Sequence, residues 1–487
     1  MPLPRTALAP HLPLSLALLL GCPSEPTGDD TGVTAADSGD DGGSSGSGSD
    51  GSGADSSGGD SSGDSSPLPD GCDAPTGAGT DVITTITQDE TWTAAGSPYR
   101  VPSNVYLTAT LTLEACTVVQ VAEGARIFVG NDPEPGSIVA HGEIADGTVR
   151  PVRFERLDEA AAWGAIELDP TGFLDAEHVV FDGGGEAGTR GTLVSWGLTF
   201  DGATTPNLRL VDVTVTGSGT HGINLQRRAA FTDDSTGVHI EGAGAIEDAY
   251  PIWIEAGAVH SLPQDLTATG NAHDAVLIDP FTNVDDDTFP ARGLPLVVAN
   301  ELYLGSIGGP PLATLTIEPG VELLFGVGAS SGITIGLDDD HQARIVAQGT
   351  VDAPIVMRSA QPSPGPADWL GLYYRYSPTD GNLLEHVTIA NAGAPSGAQG
   401  WGCGPAENDA SVLLLTAQAM TPFLHDVTFE DAGGDTQVII GWLDESPGAT
   451  AQAWFEGNTF ADAPACHVSL PRDVNNGCPG DASPDCL

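Results

Sequence analysis

Two Glu-His pairs occupy equivalent places in the chain and are the first residues that could do acid–base chemistry. Glu177 precedes His178 and Glu385 precedes His386, and each pair is followed by an alternating apolar stretch. A carboxylate beside an imidazole can serve as a general acid–base pair when both groups reach a substrate. Because each His lies within the same frame of apolar residues, the pattern favours a structural residue at a chain corner over a catalytic one.

Two glycine motifs match the residue pattern of known signatures, but the residues that follow them do not fit those signatures. Residues 217–222 read Gly-Ser-Gly-Thr-His-Gly, and residues 328–332 read Gly-Ala-Ser-Ser-Gly. A dinucleotide site and a nucleophile elbow both require a helix directly after the motif. The residues that follow, from Ile223 and from Ile333, alternate between apolar and polar, which predicts strands. Both motifs are therefore interpreted as turns, and no catalytic residue is assigned.

Two runs of three aspartates could bind calcium. They occupy residues 285–287 and 338–340. Calcium takes carboxylate oxygens as ligands, but a dedicated calcium loop spaces its acidic residues alternately, and neither run does. The favoured interpretation is a pair of solvated loops. No cofactor is expected, and calcium is kept as the only candidate.

An aromatic and cationic line forms the candidate ligand-binding site. Alternation along residues 370–376 predicts that Trp369, Tyr373 and Arg375 point outward together. Exposed aromatic rings beside a guanidinium suit stacking on sugar rings or recognition of a protein partner. Trp163 holds the place of Trp369 in an earlier segment, and this recurrence favours the alternative, a structural Trp covered by a neighbouring loop.

Composition excludes one broad class of partners. The 487-residue chain has 67 Asp and Glu against 15 basic residues, all of them Arg, and a formal net charge of −52. A protein that holds phosphates electrostatically needs a basic face, so nucleic-acid binding is excluded. No apolar run reaches about 20 residues, the length needed to cross a bilayer as a helix.

The N-terminus has the pattern of an export signal. Residues 1–21 combine one Arg with an apolar stretch that is too short for a membrane span. The stretch ends Leu-Leu-Gly-Cys at Cys22, which resembles the lipobox of bacterial lipoproteins. The resemblance implies cleavage before Cys22 and lipidation of its thiol, so the chain's membrane partner is reached through a lipid anchor. Pro23 follows where some relatives carry an Asp retention signal, which implies the outer membrane or the cell surface.

Residues 22–70 predict a disordered linker that begins at the lipidated cysteine. The stretch is rich in Gly, Ser and Asp and has no basic residue. Such a composition cannot bury enough apolar surface to offset the entropy lost on ordering. Its position predicts that it holds the folded body away from the lipid surface.

Six cysteines besides Cys22 are candidates for disulfides, because an exported chain meets an oxidising compartment and their number is even. They are Cys72, Cys116, Cys403, Cys466, Cys478 and Cys486. Cys478 and Cys486 enclose a short Pro- and Gly-containing segment and form the favoured pair. Cys72 with Cys116 is the second expected pair, and Cys403 and Cys466 then remain for each other, although spacing alone leaves the pairing open. No Cys-x-x-Cys spacing supports zinc, so no metal ligand is assigned.

The body contains a long internal repeat of short segments, displaced by about 200 residues. Val121–Gly130 matches Ile317–Gly326, and Glu177–Phe181 matches Glu385–Ile389. Within each segment apolar residues alternate with a period of two, which predicts strands that bury one face. The body is therefore expected to be all-β.

The residue sequence of several segments resembles that of right-handed parallel β-helix proteins of bacterial surfaces, which have the pectin-lyase-like fold. The segments that carry the resemblance are Leu315–Gly326, Ile345–Ile355, Asp368–Leu372 and Leu384–Ile389. The resemblance implies a solenoid in two tandem copies. The expected boundaries are residues 71–290 for the first copy, 291–471 for the second and 472–487 for a polar C-terminal tail.

This fold does not identify an activity, because it hosts lyases, hydrolases, adhesins and structural proteins. The favoured hypothesis is a lipid-anchored surface module that binds a polysaccharide or a surface protein, or acts structurally, with no catalysis evident. The alternative is a calcium-assisted polysaccharide lyase or glycoside hydrolase on the same fold. A third hypothesis is a passive coat component.

Overall fold

The structure is a computed structural model that describes residues 70–198, 203–244, 246, 248–280, 283–306, 309–326, 331–396, 403, 409–434, 436–461, 466–478 and 486–487. The predicted signal segment, Cys22 and the linker up to residue 69 lie outside the described residues. Residues from Ser66 to Leu487 belong to one compact unit.

Short strands are the main regular secondary structure of this unit, as the period-two segments predicted. The strands up to residue 241 are β1 (Thr80–Asp81), β2 (Glu90–Trp92), β3 (Tyr99–Val101), β4 (Val105–Leu107), β5 (Thr110–Leu113), β6 (Val118–Val121), β7 (Ile127–Val129), β8 (Gly136–His141), β9 (Glu143–Ala145), β10 (Thr148–Arg150), β11 (Val152–Arg156), β12 (Ile166–Leu168), β13 (Gly172–Glu177), β14 (Val179–Asp182), β15 (Leu193–Trp196), β16 (Thr205–Thr216), β17 (Ile223–Gln226), β18 (Ala229–Phe231) and β19 (Thr236–Glu241).

The remaining strands continue to the C-terminal region. They are β20 (Ile252–Glu255), β21 (Thr267–Thr269), β22 (Val276–Asp279), β23 (Asp287–Phe289), β24 (Leu296–Val298), β25 (Glu301–Leu304), β26 (Leu312–Ile317), β27 (Glu322–Phe325), β28 (Gly332–Ile335), β29 (Gln342–Gln348), β30 (Ile355–Ser359), β31 (Leu372–Tyr374), β32 (Leu383–Glu385), β33 (Val387–Ala390), β34 (Val412–Leu414), β35 (Leu424–His425), β36 (Thr428–Glu430), β37 (Thr436–Ile440), β38 (Leu443–Asp444), β39 (Thr459–Phe460), β40 (Cys466–Val468) and β41 (Arg472–Asp473). Helical segments in the described ranges are two 3₁₀ helices, Ala94–Gly96 and Ala256–Ser261, and one α-helix, α1 (Pro447–Phe455).

One long parallel sheet, sheet I, runs through almost the whole unit. Its 13 strands follow the order β4-β7-β12-β15-β17-β20-β22-β24-β27-β30-β33-β36-β39. Between neighbouring strands the chain passes through other sheets and returns in the same direction, as a parallel pairing requires. The pairing of β22 with β24 carries sheet I across the expected boundary at residues 290 and 291 without interruption.

Side chains of sheet I that face inward lie in register from strand to strand. One such row contains only apolar residues, and all are buried except the last: Val105, Ile127, Ile166, Leu193, Ile223, Ile252, Val276, Leu296, Leu323, Met357, Ile389, Phe429 and Phe460. Burial of a Val, Leu, Ile, Phe or Met side chain contributes about 1.5–3 kcal/mol. The row is therefore a continuous part of the hydrophobic core.

Three other extended sheets complete the unit. Sheet II has 13 strands in two ladders that meet at β16, whose first half pairs with β13 and β18 and whose second half pairs with β14 and β19. Sheet III contains β23, β26, β29, β32 and β35, and sheet IV contains β25, β28, β31, β34, β37 and β40. An antiparallel hairpin, β9 with β10, and a parallel pair, β38 with β41, are separate.

Segments that match in the sequence repeat lie on different sheets once the chain has passed β28, a strand that the earlier set of segments lacks. β7 and β27 are equivalent in the repeat, and both belong to sheet I. Strand β28 follows β27, but no strand separates β7 from β8. As a result β8 lies in sheet II and its match β29 in sheet III, while β12 lies in sheet I and its match β31 in sheet IV. Because of the additional strand, each matched segment after β28 joins a different sheet from its counterpart after β7.

The two repeated histidines lie at single-residue corners between consecutive strands. His178 separates β13 from β14 with φ 52°, and His386 separates β32 from β33 with φ 49°. Asp and His are among the residues that tolerate this left-handed region best. The Nδ1 atom of His178 lies 3.5 Å from Oδ2 of Asp212, and that of His386 lies 3.9 Å from Oδ2 of Asp426; both aspartates are themselves left-handed. These histidines are therefore structural residues at which the backbone turns from one strand into the next.

A disulfide between Cys72 and Cys116 fastens the start of the unit to the sheets. Its S–S distance is 2.09 Å, and this is the pair that the sequence suggested. Close by, the amide of Gly71 donates to the carbonyl of Val149 on the β9–β10 hairpin over 2.7 Å. Covalent and hydrogen-bonded links thus hold this segment in place.

The second disulfide corrects the expected pairing near the C-terminus. Cys403 is joined to Cys478 with an S–S distance of 2.11 Å, in place of the expected Cys403–Cys466 and Cys478–Cys486 pairs. The backbone of Cys403 forms an antiparallel bridge with Leu470, so Cys403 lies beside the C-terminal segment. Neither Cys466 nor Cys486 belongs to the Cys72–Cys116 or the Cys403–Cys478 bond, and neither has its expected partner. Only the packing of these segments, which spacing does not reveal, determines the partners.

We expect two substitutions at Asp212, whose backbone is left-handed, to differ in stability because of backbone strain. Asp212→Val should lower the free energy of unfolding by about 1–2 kcal/mol relative to Asp212→Gly, because a β-branched residue is strained at φ 51° and glycine is not. Both variants lose the contact with His178, so their difference isolates the backbone. Equal stabilities of the two variants in urea denaturation would contradict this account.

Candidate functional site

Trp369 is buried, so the expected line of exposed aromatic residues is wrong at its first member. The side chain is 0% exposed, and its ring stacks on Phe325 with centroids 3.9 Å apart and planes inclined by 6°. Nε1 donates to the carbonyl of Ala390 over 2.8 Å. Trp163 makes the equivalent bond to the carbonyl of Asp182 over 2.7 Å. The repeated Trp therefore has a structural role.

Tyr373 is also buried, which corrects the second member of the line. Its side chain is 7% exposed, and burial raises the pKa of Tyr373 to about 12. It packs in an apolar cluster with Leu370, Ala394, Ala410, Leu413 and Ile439. The outer side of β31 is covered by other parts of the chain. Alternation separates the two faces of a strand without showing whether the outer face meets solvent.

Arg375 is exposed and lines a groove of about 540 Å³. The groove residues are Asp339, Gln342, Arg375, Tyr376, Ser377, Pro378, Thr379, Leu415, Thr416, Ala417 and Gln418. The guanidinium carbon of Arg375 lies 6.0 Å from the centroid of the half-buried Tyr376 ring. The structure thus pairs the predicted guanidinium with an aromatic ring that the sequence analysis did not select. β31 ends at Tyr374, so strand alternation no longer applies to Tyr376.

An acidic turn before β29 forms one wall of this groove. Asp338 accepts hydrogen bonds from the amides of Asp340 and His341 over 3.0 and 2.9 Å, and its Oδ1 lies 2.8 Å from Nδ1 of His341. The His341 ring holds the pKa of Asp338 below its ordinary value. The carboxylate of Asp338, once considered for calcium, therefore closes a turn, and the same turn places Asp339 at the groove.

The other acidic run also bonds to protein groups. Asp285 accepts a hydrogen bond of 2.6 Å from the Ser306 hydroxyl and lies 3.6 Å from the guanidinium of Arg228. Asp286 accepts the amide of Thr314 over 2.8 Å. In the described part of the chain, no group of three or more His, Cys, Asp or Glu side chains is arranged to hold a metal ion.

A second groove, of about 390 Å³, contains an exposed histidine paired with a buried aspartate. Nδ1 of His260 lies 2.7 Å from Oδ1 of Asp287, whose side chain is 1% exposed while that of His260 is 41% exposed. Oδ2 of Asp287 has no hydrogen-bond partner among the described residues. The Asp287 carboxylate raises the pKa of His260. The pair joins the Ala256–Ser261 helix to β23, the first strand of sheet III.

Sequence reasoning missed both members of this pair, because neither lies in a recognisable motif. His260 belongs to a six-residue 3₁₀ helix, and Asp287 faces inward beside Phe289 on a short strand. A buried carboxylate needs a partner, so an acid at an inward strand position was the one available signal. Its partner lies on another element, which only the fold brings near.

None of the helices in the described ranges has the length and apolar character required to cross a bilayer. Comparison of the chain with protein-family models, with curated proteins and with solved structures gives no match.

The His260–Asp287 pair predicts a measurable proton affinity. His260 should be half-protonated above pH 6.5, and Asp287→Asn should lower this midpoint because the carboxylate that favours the imidazolium is gone. A raised pKa in the folded state contributes stability below pH 6.5 that is lost as pH rises through the folded pKa. The midpoint can be followed by the ring carbon–proton NMR signals, with His221 as the internal reference.

Burial lowers the pKa of His221, so its signal should titrate below that of His260 and should not respond to Asp287→Asn. An unchanged His260 midpoint in the variant would show that the carboxylate does not control the imidazole.

Proposed function

We propose that this protein is an exported, lipid-anchored surface module that binds glycans through the groove beside Arg375. The proposal for the anchor rests on the sequence of the N-terminus, where a short apolar stretch ends at Cys22 and an acidic linker follows. Several acyl chains on one residue would hold the body at a membrane, since each buried CH₂ contributes about 0.8 kcal/mol.

We infer that the body is a right-handed parallel β-helix made of two tandem copies. Support comes from the strand order, in which the chain returns to sheet I after each passage through the other sheets. A crossover between parallel strands of one sheet is right-handed in nearly all known cases. The repeat in the sequence supports the duplication, with β28 as the additional strand of the second copy.

The observation that carries the binding proposal is the Arg375–Tyr376 pair in a groove of about 540 Å³. An aromatic face stacks on the C–H face of a sugar ring, and a guanidinium donates several hydrogen bonds in fixed directions. The other polar side chains that line the groove are those of Asp339, Gln342, Ser377, Thr379, Thr416 and Gln418. These donors and acceptors suit a ligand with many hydroxyl groups.

The shape of the groove also favours a chain-like ligand over a small enclosed one. Three separate segments line it, near residues 339–342, 375–379 and 415–418. They follow or precede strands β28, β29, β31 and β34, of which three are neighbours in sheet IV. Rigid strands at this spacing hold the groove residues at fixed distances, which reduces the entropy lost on binding.

We expect Arg375→Ala and Tyr376→Ala each to weaken glycan binding about tenfold, which corresponds to ~1.4 kcal/mol. The glycan would be found on an array probed with the purified protein, and its affinity measured by calorimetry. Tyr106→Ala is the matched control, because Tyr106 is 46% exposed, stacks on Phe128 and lies outside the groove.

Three results would count against the proposal. They are the absence of any bound glycan, equal losses in the control variant, and release of reducing ends from the bound polysaccharide in the presence of calcium. The last result would favour the alternative of a lyase or hydrolase on the same fold.

The lipid anchor predicts that Cys22→Ser abolishes incorporation of labelled fatty acid into the protein in a bacterial host. The variant should also leave the detergent phase, because the acyl chains supply its affinity for the membrane. Ser24→Ala, in the same segment, should behave as the unchanged protein. Fatty acid that remains on the Cys22→Ser variant would contradict attachment at this thiol.

A further inference from the structure

Two exposed arginines meet at one tryptophan on the outer face of sheet I. Trp196 is the last residue of β15 and is half-buried. The guanidinium carbon of Arg190 lies 5.5 Å from the centroid of the Trp196 ring, and that of Arg227 lies 5.3 Å from it. A guanidinium at such a distance is attracted to the electron-rich face of an indole ring. One side chain therefore holds two positive charges close together.

The main chain fixes the position of Arg227. This residue follows Gln226, the neighbour of Trp196 on the adjacent strand β17. The amides of Arg227 and Arg228 donate to the two carboxylate oxygens of Glu255 over 2.7 and 3.1 Å, and both residues are left-handed. Glu255 is only 3% exposed, so these hydrogen bonds lie inside the protein. In this conformation the side chain of Arg228 is buried, whereas that of Arg227 is exposed.

Gly197 brings the backbone after Trp196 against the backbone of Arg227. Its amide donates to the carbonyl of Gln226 over 2.8 Å. A Cβ atom at this position would lie 1.9 Å from the carbonyl oxygen of Arg227, so the approach requires glycine. The ring of Trp196, one residue earlier, is thus placed beside Arg227 by the backbone itself.

Hydrogen bonds between side chains fix the position of Arg190. Its Nη1 atom donates to Oε1 of Gln226 over 2.9 Å, and Nε2 of Gln226 donates to Oδ1 of Asn224 over 2.7 Å. Gln226 and Asn224 are both buried. None of the carboxylates that the structure describes forms an ion pair with Arg190, which bonds to a neutral amide instead. Arg190 is therefore held in place while its charge remains available.

We propose that Arg190 and Arg227 form a binding site for a tetrahedral oxyanion, a phosphate or a sulfate group, beside Trp196. A carboxylate has two oxygens and can be satisfied by a single guanidinium in a bidentate pair. A phosphate or sulfate group offers at least three acceptor oxygens that point in different directions. Two guanidiniums that reach one ring from separate segments of the chain suit the second geometry. None of these residues lines the glycan groove, so the two proposals are independent.

The charge of the whole chain limits the ligands that can reach this site. A net charge of −52 opposes the approach of a ligand that carries many negative groups. A ligand with one phosphate or sulfate group meets less of this repulsion and still contacts both guanidiniums. The ligand is thus the free ion or a molecule with an isolated ester group, such as a sugar that carries one sulfate.

The experiment is calorimetric titration of the purified full chain with inorganic phosphate, inorganic sulfate, glucose 6-sulfate and acetate at matched ionic strength. We expect phosphate and sulfate groups to bind, and acetate to bind at least tenfold more weakly. Tighter binding of glucose 6-sulfate than of inorganic sulfate would identify the ester as the ligand, and equal binding would identify the ion. Both results support the site.

Arg190→Gln and Arg227→Gln should each weaken the binding of phosphate and sulfate at least tenfold. Arg150→Gln is the matched control, because it changes the net charge by the same amount and Arg150 pairs with Glu143 on the β9–β10 hairpin. An equal loss in the control would show that binding follows net charge alone. That result, acetate binding as tight as sulfate binding, or no binding of any phosphate or sulfate probe would overturn the proposal.

A second measurement locates the bound ion. The indole N–H signal of Trp196 in NMR spectra, assigned by its loss in Trp196→Phe, should shift when sulfate is added to the unchanged protein. The shift should be absent in Arg190→Gln and present in Arg150→Gln. A Trp196 signal that does not respond in the unchanged protein would place the ion elsewhere and overturn the proposal.

Discussion

Parallel strands in a common register force each inward side chain to lie over a counterpart about 4.8 Å away. The rest of the structure depends on this constraint. In sheet I a single row runs from Val105 to Phe460 without a polar member. The neighbouring row admits Ser195, whose hydroxyl donates to the Asn207 side chain over 2.6 Å. A polar group enters the stack with its own partner, because a buried polar atom without one is costly.

The outer faces of neighbouring strands bring carboxylates close together, and arginines lie between these carboxylates, for example on β13 and β16 of sheet II. Arg209 lies 2.7 Å from Asp175, 3.4 Å from Glu177 and 2.7 Å from Asp234. Arg126 and Glu167 approach within 2.8 Å on another face. Single surface ion pairs contribute little stability. In a chain of net charge −52, however, each bridging guanidinium also reduces repulsion between carboxylates on adjacent strands.

Local pattern predicted the strands well because alternation is a property of a few neighbouring residues. Ile127 with Val129 and Ile166 with Leu168 are buried as expected. The same pattern failed for Tyr373, because the cover over β31 comes from residues far away in the sequence. It also failed for Trp369, which precedes β31 and lies in the main core against Phe325.

The partners of the C-terminal cysteines and the His260–Asp287 pair were beyond sequence reasoning for a related reason. Each joins residues that are adjacent only in the fold, as Cys403 is to Leu470. Of the two residues on which the proposed groove depends, the sequence analysis identified one. Arg375 was selected by its spacing, whereas Tyr376 follows the end of its strand, where alternation gives no information.

Strand β28 has no counterpart between β7 and β8. The segments after it keep the residue pattern of their matches yet belong to other sheets, and sheet I remains continuous. Similar stretches of sequence are consequently placed beside different neighbours, while their inward residues remain buried. In parallel sheets of this kind, the residue pattern of a segment specifies which of its faces is buried but not which sheet it joins.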